Sequence, residues 1–535
     1  MSTVAPRTTR PEAAPGRRRG PGAGLLAALA GLASAALTLG VAEVVAGLVA
    51  PTAAPVLAVG AAFVDVTPAW LKEGAISLFG TNDKVALFVG IGLVLGALAA
   101  AAGLLARRRQ VLGDLVVLVL GAAGVAAALS RPDAAPLSVL PSAAGALAGV
   151  LALRALVARL GRVEEAGRRG QDPDGAGRRA FLAAVGATGA IAGVAFAGGR
   201  ALGVASRGVA AARSALRLPA PAVAAAPVPA GVDVGVEGVG PWSTPVADFY
   251  RIDTALSVPQ VDPATWTLRI HGMVEEEVEI TYDELVGGEL GDLVEQWTTL
   301  TCVSNEVGGR LAGNARWLGL PLHLLLERAR PVDGADMVLS TSSDGWTAST
   351  PLGALTDAGV GALLAFGMDG QPLPTEHGFP VRMVVPGLYG FVSATKWVVD
   401  LEVTRYADRT AYWTDRGWSE TGVIKTASRI EVPTPLSRAA VGAAVAGGTA
   451  WAQGRGVAKV EVRVDDGDWA EAELGERYDD DTWVQWRFPY ELTEGRHTLT
   501  VRATDGDGVV QTEERADPIP DGASGWHSIT VTGTT

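Results

Sequence analysis

Hydrophobic and polar positions follow three different patterns along the chain. Up to about residue 205 apolar residues run on with few breaks. A helix needs about 20 residues to cross roughly 30 Å of hydrocarbon. Five runs reach that length: Pro21–Ala50, Val85–Ala106, Val111–Ser130, Ser138–Leu160 and Ala180–Gly199. They predict an N-terminal bundle of about five transmembrane helices within residues 21–205. Val56–Val66 is too short to span, and with Pro68, Trp70 and Phe79 it predicts an interfacial loop. After residue 240 the period shortens. Thr265–His271 and Val278–Thr281 alternate like strands, Leu318–Arg328 has helical spacing, Arg382–Val385 reads as a buried strand, and Ala394–Val403 begins an extended run. Residues 240–425 are thus expected to form an α+β domain with long loops. Beyond 426 only strands are predicted: Gly456–Val464, Trp469–Leu474, Thr482–Phe488, His497–Thr504 and Ser528–Val531, with Asp-Gly turns at 466–467 and 505–508. That pattern predicts an all-β, immunoglobulin-like sandwich over 426–535, without the Cys pair of antibody domains.

Charge adds a topology. Arg17, Arg18 and Arg19 precede the first run, and Arg107, Arg108 and Arg109 separate the second from the third. Arg154, Arg159, Arg162, Arg168, Arg169, Arg178 and Arg179 group between the fourth and fifth, whereas loops 51–84 and 131–137 are poor in basic residues. Basic loops stay in the cytoplasm. Residues 1–20 then form a basic cytoplasmic tail, and everything after the fifth span lies outside a bacterial cell membrane, anchored in lipid by several passes. Gly177-Arg178-Arg179-Ala180-Phe181-Leu182 has the form of a twin-arginine export signal, and equally of an ordinary positive flank. Glu43 and Asp114 are exceptions in spans otherwise almost free of ionisable groups, which favours an anchor over a transporter or sensor. Residues 206–239 read as a linker. Its Pro/Ala-rich core, Leu218–Ala230, is expected to act as a semi-rigid tether. The net charge of −13 belongs to the second half and argues against nucleic acid as a partner.

Cys302 is the only cysteine. It cannot form an internal disulfide, and alone it cannot build a zinc or iron–sulfur cage. It is left as a small buried apolar group or a reactive thiolate. No His precedes His271, which excludes a bis-His haem among the apolar runs, and no C-x-x-C-H motif is present for covalent haem. The chain is expected to carry neither haem nor an iron–sulfur centre.

Several motifs over residues 245–535 occur in the order known from one family. Cys302-Val-Ser-Asn305 is similar to a Cys-Ala-Gly-Asn element. Ala312-Gly-Asn314-Ala-Arg-Trp317-Leu-Gly-Leu-Pro-Leu is similar to Asn-Ala-x-Trp-x-Gly-x-x-Leu. Asp369-Gly-Gln-Pro-Leu-Pro-Thr-Glu-His377-Gly-Phe-Pro-Val-Arg382-Met-Val-Val-Pro-Gly387 is followed by Ser393-Ala-Thr395-Lys396-Trp397. Together these resemble the molybdopterin-binding domain of the sulfite oxidase family. Ala446–Trp451 and Val460–Trp469 resemble the early strands of the dimerisation domain that follows in that family.

The resemblance implies a molybdenum–molybdopterin cofactor with Cys302 as the metal ligand. It implies cofactor contacts from Phe249, Tyr250, Arg251, Asn305, Asp344, His377, Arg382, Ser393, Thr395 and Lys396. Cys302, Arg251 and Arg416 would serve catalysis, Arg416 with Trp413 and Trp418 on an aromatic pocket loop. A thiolate suits a soft metal, and Arg, Lys and His suit a phosphate. The implied reaction is oxygen-atom transfer on a small-molecule substrate, with electrons exchanged with a separate carrier, either a quinone-linked membrane subunit or a cytochrome. A homodimer through the C-terminal domain is a further implication. Sulfite-oxidising members carry Arg shortly after the ligating Cys, where this chain has Glu306 and Val307. That departure leaves sulfite oxidation doubtful and keeps S-oxide or N-oxide reduction open. A non-catalytic binding or assembly module on a membrane anchor is the alternative of another class.

Overall fold

A computed structural model of the chain describes residues 22–68, 71, 78, 83–131, 134–171, 175–205 and 208–535. Arg17, Arg18 and Arg19 of the basic tail, and Trp70 and Phe79 of the expected loop, lie outside these residues. The described chain divides into a helical unit before about residue 206 and a β-rich unit after it.

The helical unit contains α1 (Gly22–Val49), α2 (Pro55–Val66), α3 (Asp83–Arg108), α4 (Gln110–Leu129), α5 (Leu140–Arg168) and α6 (Ala176–Ala205). Five of these are long and apolar enough to cross a membrane. The sixth, α2, corrects the expected loop: the Val56–Val66 run is a helix started by Pro55, whose fixed φ suits a first helical position. Arg154 and Arg159, expected between spans, lie inside α5, and Arg200 lies inside α6. The Arg178-Arg179 pair sits in the first turn of α6, and Phe181 is buried against α1 and α5. α1 packs against α3, α5 and α6. Small residues set these approaches. A Cβ at Gly103 would stand 1.9 Å from the Ala27 carbonyl oxygen, and one at Gly47 2.4 Å from that of Gly199. The two isolated acids are both paired: Glu43 with Arg200 at 3.3 Å and Asp114 with Arg154 at 2.9 Å. A third pair joins Arg107 to Glu164 at 2.8 Å.

The β-rich unit opens with α7 (Val209–Ala215). Its first domain carries β1 (Thr267–Gly272), β2 (Val278–Thr281), α8 (Tyr282–Gly287), β3 (Val294–Thr301), β4 (Ala312–Pro321), α9 (Leu322–Ala329), β5 (Met337–Ser342) and β6 (Thr347–Pro351). α10 (Leu352–Thr356), β7 (Leu363–Met368), β8 (Gln371–Pro372), β9 (Arg382–Val384), α11 (Gly390–Ser393) and β10 (Val398–Thr404) complete it. One sheet runs β2-β1-β10-β5-β6, with β1 and β10 parallel. The other runs β3-β4-β7-β8, with β9 on β7. Trp266, Leu268, Ile270, Leu320, Leu364, Phe366, Leu401 and Val403 are buried in a shared core. The run Leu318–Arg328 divides: β4 continues to Pro321 and the helix begins only at Leu322, where the proline removes a ladder donor. Thr281 and Glu284 cap α8 reciprocally.

The C-terminal domain holds β11 (Ala427–Val432), β12 (Arg438–Ala440), β13 (Gly442–Trp451), β14 (Val457–Val464), β15 (Ala470–Glu471), β16 (Glu473–Leu474), β17 (Val484–Leu492), β18 (Gly495–Asp505) and β19 (His527–Thr534). Two sheets, β11-β13-β17-β16 and β12-β19-β18-β14-β15, enclose Trp486, Ala446, Ala450, Val460, Val501 and Val531. The run Trp469–Leu474, expected as one strand, is two, β15 on one sheet and β16 on the other.

The Pro/Ala segment is no free tether. Val209 is buried beside Phe249 and Trp317, and Arg213 donates to the carbonyls of Leu373 (2.7 Å) and Pro372 (2.9 Å). Val223 pairs in parallel with Val294 and so covers the edge of β3. Tyr478 donates to the Ala226 carbonyl at 3.0 Å, and Val232 enters the domain core. Pro and Ala bring no polar side chains, but their backbone carbonyls still accept, and that docks the segment.

Close helix packing in the helical unit has a direct check. Gly103→Val should lower the thermal midpoint of helicity in the detergent-solubilised chain by several degrees, on the order of 1–3 kcal/mol of overpacking. Gly92→Val in the same helix, where a Cβ meets nothing within 4 Å, should leave it unchanged.

Candidate active site

Cys302 follows the last residue of β3 and opens the loop to β4. It is buried. Its N–H donates to the Leu311 carbonyl (2.9 Å), its carbonyl accepts from Asn305 N–H (3.0 Å), and Asn305 Oδ1 accepts from Leu311 N–H (2.8 Å). Asn305 therefore commits its amide oxygen to closing the cysteine loop. Burial pushes the Cys302 thiol up, and hydrogen bonds from Ser304 partly oppose this.

Tyr250 is a phenol close enough to feel the Cys302 charge. Burial first, then the Cys302 charge, pushes its hydroxyl well above the ordinary range, while Arg382 pulls the other way. Tyr250 stacks on Phe249 (5.2 Å between centroids), and Phe249 meets the edges of Trp317 (5.8 Å) and His377 (5.6 Å). A Cβ at Gly313 would lie 2.8 Å from the Phe249 ring, so the glycine makes room for it.

His377 and Arg382 bracket a turn and Lys396 faces them. Arg382 is buried; it donates to the His377 carbonyl at 3.2 Å and lies over Trp317 at 5.0 Å. Burial lowers it to about 10. Lys396 donates to Asp253 Oδ2 at 2.7 Å and to the Glu376 carbonyl at 3.2 Å. Burial lowers it to about 8, against the pull of Asp253. Arg251 shares Asp253 at 2.8 Å. Burial, then the charges of Arg382 and Lys396, brings His377 down to about 4, so it is neutral at pH 7. Gly378, at φ 109°, lets the two cationic residues close in: a Cβ there would lie 3.0 Å from Arg382 Cβ and 3.1 Å from Lys396 Cβ.

The remaining predicted residues are each held by local contacts. Ser393 donates to the carbonyls of Leu388 and Tyr389, and Thr395 Oγ1 is 2.7 Å from Ser340 Oγ, so both hydroxyls are used in packing. Asp344 is at the tip of the β5–β6 hairpin, accepting from Trp346 N–H at 3.2 Å. Arg416 lies over Tyr412 at 3.6 Å and donates to its carbonyl at 2.6 Å, in a group with Trp413 and Trp418 that reaches Phe391. Sequence reasoning missed Asp253, the counter-charge of two predicted residues. It also missed Tyr389, whose hydroxyl is pushed up to about 12, first by burial and in part by the Cys302 charge. Only the spacing Arg251-Ile-Asp253 could have flagged the first.

These residues suit a large anionic metal cofactor. Among the described residues no three His, Cys, Asp or Glu could cage a metal, so a metal on Cys302 needs donors from a second molecule. A bound cation would displace the thiol proton. The cationic group of Arg251, Arg382 and Lys396 has Asp253 as its paired carboxylate and Glu376 close by, three positive charges to two, which suits an added anion.

The family comparison points the same way. The family described as "Oxidoreductase molybdopterin binding domain" matches residues 255–413. Mitochondrial sulfite oxidase of Mus musculus is 30% identical over 41% of this chain and 47% of its own length. That of Macaca fascicularis is 28% identical over 52% and 59%. An uncharacterised oxidoreductase of Bacillus subtilis is 28% identical over 30% of this chain and 76% of its own. The chain spans about half the length of the sulfite oxidases it matches. The solved sulfane dehydrogenase SoxCD of Paracoccus pantotrophus aligns with a TM-score of 0.45 at 23% identity, over 52% of this chain and 75% of that one. Over residues 255–413 the chain therefore matches a molybdopterin-binding oxidoreductase domain. The relatives that share this stretch include sulfite oxidases.

Acid stability checks the buried imidazoles. His377 and His527 both titrate near 4 when folded, against about 6.5 unfolded. Below 6.5 the unfolded chain binds protons that the folded chain refuses, so their contribution is lost as pH falls from 6.5 to 4. Asp481, raised by burial to about 6, works in the opposite sense. In the cofactor-free protein, His527→Gln should therefore lose less Tm between pH 6.5 and 4 than the parent does.

Proposed function

We propose that this protein performs oxygen-atom transfer on a small, weakly charged substrate, with the molybdenum cofactor held by Cys302. The carrying observation is the convergence of one buried thiol, Tyr250 and Arg382 beside a buried cationic group. When bound, the cofactor supplies a metal that exchanges an oxygen atom and two electrons with the substrate. Cys302 would be its protein ligand. Arg382, Lys396 and Arg251 would hold the anionic part, with neutral His377 as a further hydrogen-bonding group beside Phe249. Tyr250, its proton firmly held, would present a donor to an oxygen near the metal.

Glu306 and Val307 stand four and five residues after Cys302, where sulfite-oxidising members carry Arg. A carboxylate there would repel a dianion such as sulfite and tolerate a neutral S-oxide or N-oxide. That favours such an oxide as substrate over sulfite. The five long apolar helices are read as membrane spans, with the catalytic side extracytoplasmic on the charge pattern. Electrons would pass through a separate quinone-linked subunit or cytochrome. The two-sheet C-terminal domain is read as the family's immunoglobulin-like dimerisation type.

Turnover of a panel of S-oxides, N-oxides and sulfite, with an artificial electron carrier, tests this. Cys302→Ser should abolish it while leaving Tm within a few degrees; retained turnover would remove the thiolate-ligand reading. Glu306→Arg should lower the KM for sulfite by about tenfold or more, as expected when an ion pair replaces a like charge. No change would place Glu306 away from the substrate.

A further inference from the structure

The loop that carries Cys302 is held from outside its own domain. Thr299, three residues before the cysteine, is fixed twice: its N–H donates to the Asp481 carbonyl (3.0 Å), and its Oγ1 accepts from Trp483 N–H (2.9 Å). Gln453, fully buried, donates to the Thr299 carbonyl (3.1 Å) and to Thr301 Oγ1 (3.2 Å). On the far side of the loop, Arg429 donates to the Gly309 carbonyl at 3.1 Å. Arg429 is itself rigid: Glu431 accepts from its Nε (2.8 Å), Thr449 donates to the same carboxylate oxygen (3.0 Å), and the guanidinium lies over Trp483 (5.3 Å) and Trp451 (5.7 Å). His527 closes the third side. Its Nδ1 accepts from Ile430 N–H at 2.9 Å, which puts the proton of the neutral ring on Nε2. The ring packs on Gly308, where a Cβ would stand 2.3 Å from Nε2.

All of these residues belong to the C-terminal domain. We infer that this domain is part of the cysteine site: Arg429, Gln453 and His527 are positioning residues that fix the Cys302 sulfur by clamping the end of β3 at residues 299 and 301 and the loop after it at 308 and 309. Inside the loop, hydrogen bonds join Cys302, Ser304, Asn305, Glu306, Gly309 and Leu311. A metal ligand must be placed to within about 0.5 Å, and a long loop needs outside support for that. A C-terminal domain used only for association would have no need of a buried arginine aimed at this loop.

The consequence for the cofactor rests on Cys302 as metal ligand, but the position of the sulfur does not. The thiol is therefore the reporter, and as the only cysteine it gives a single signal. The rate of maleimide labelling should be measured by intact mass on the full-length, cofactor-free chain in detergent. Arg429→Ala should raise it about tenfold or more, as loss of a charge-assisted hydrogen bond opens the loop. His527→Ala should do the same from another side of the loop, by removing the ring that packs on Gly308. Arg429→Lys, which keeps a donor for Gly309, should restore most of the protection. Ile529→Ala, in the sandwich core, should lower Tm comparably and leave the rate near that of the parent. An unchanged rate in Arg429→Ala, or a rise no larger than that of Ile529→Ala, would overturn the clamp. Increased labelling together with a wild-type chain that takes up no molybdenum would keep the clamp and remove the metal reading.

Discussion

Burying cations without water is costly unless opposite charge comes with them. Arg382 is buried, Lys396 is largely buried, Arg251 is exposed beside them, and Asp253 is shared by two of the three. The fold bears that cost at one place. Gly378 gives up its side chain so that Arg382 and Lys396 can approach, Trp317 and Trp397 offer ring faces to the two cations, and His377 gives up its proton. Burial lowers the cations' proton affinity, and a bound anion would restore it. Such an arrangement is poised for a ligand more strongly than for stability, because a packed apolar cluster would hold the domain together at less cost.

The thiol obeys the same logic. Burial keeps Cys302 protonated in the absence of a metal, so the sulfur is shielded from casual oxidation and becomes a ligand only when a cation displaces its proton. Its position depends on two domains at once. β3 and β4 present the loop from one side, and Arg429, Gln453 and His527 receive it from the other. A substitution in the C-terminal sandwich can thus reach the chemistry without touching substrate or cofactor.

Much of this was legible in the chain. Cys302, His377, Arg382 and Lys396 stand in ordered motifs, Tyr250 came only with the family resemblance those motifs carry, and the structure brings all five together. Asp344, Ser393, Thr395 and Arg416 also make local contacts in turns and packing, a use that residue type alone does not reveal. Arg429 was invisible because its contact with Gly309 spans 120 residues. The Pro/Ala segment misled for another reason. Composition reports what side chains can do, whereas Val223 and Ala226 dock through their backbone. Pro321 likewise ended a strand where periodicity alone suggested that a helix had already begun.

The central claim is that Cys302 and the cationic group together hold a molybdenum cofactor. Elemental mass spectrometry of the purified full-length protein, from a host shown to load other molybdenum enzymes, tests it most directly. The account predicts close to one molybdenum atom per chain. Essentially none, in protein that is folded by circular dichroism, would contradict it and leave Cys302 an ordinary buried thiol.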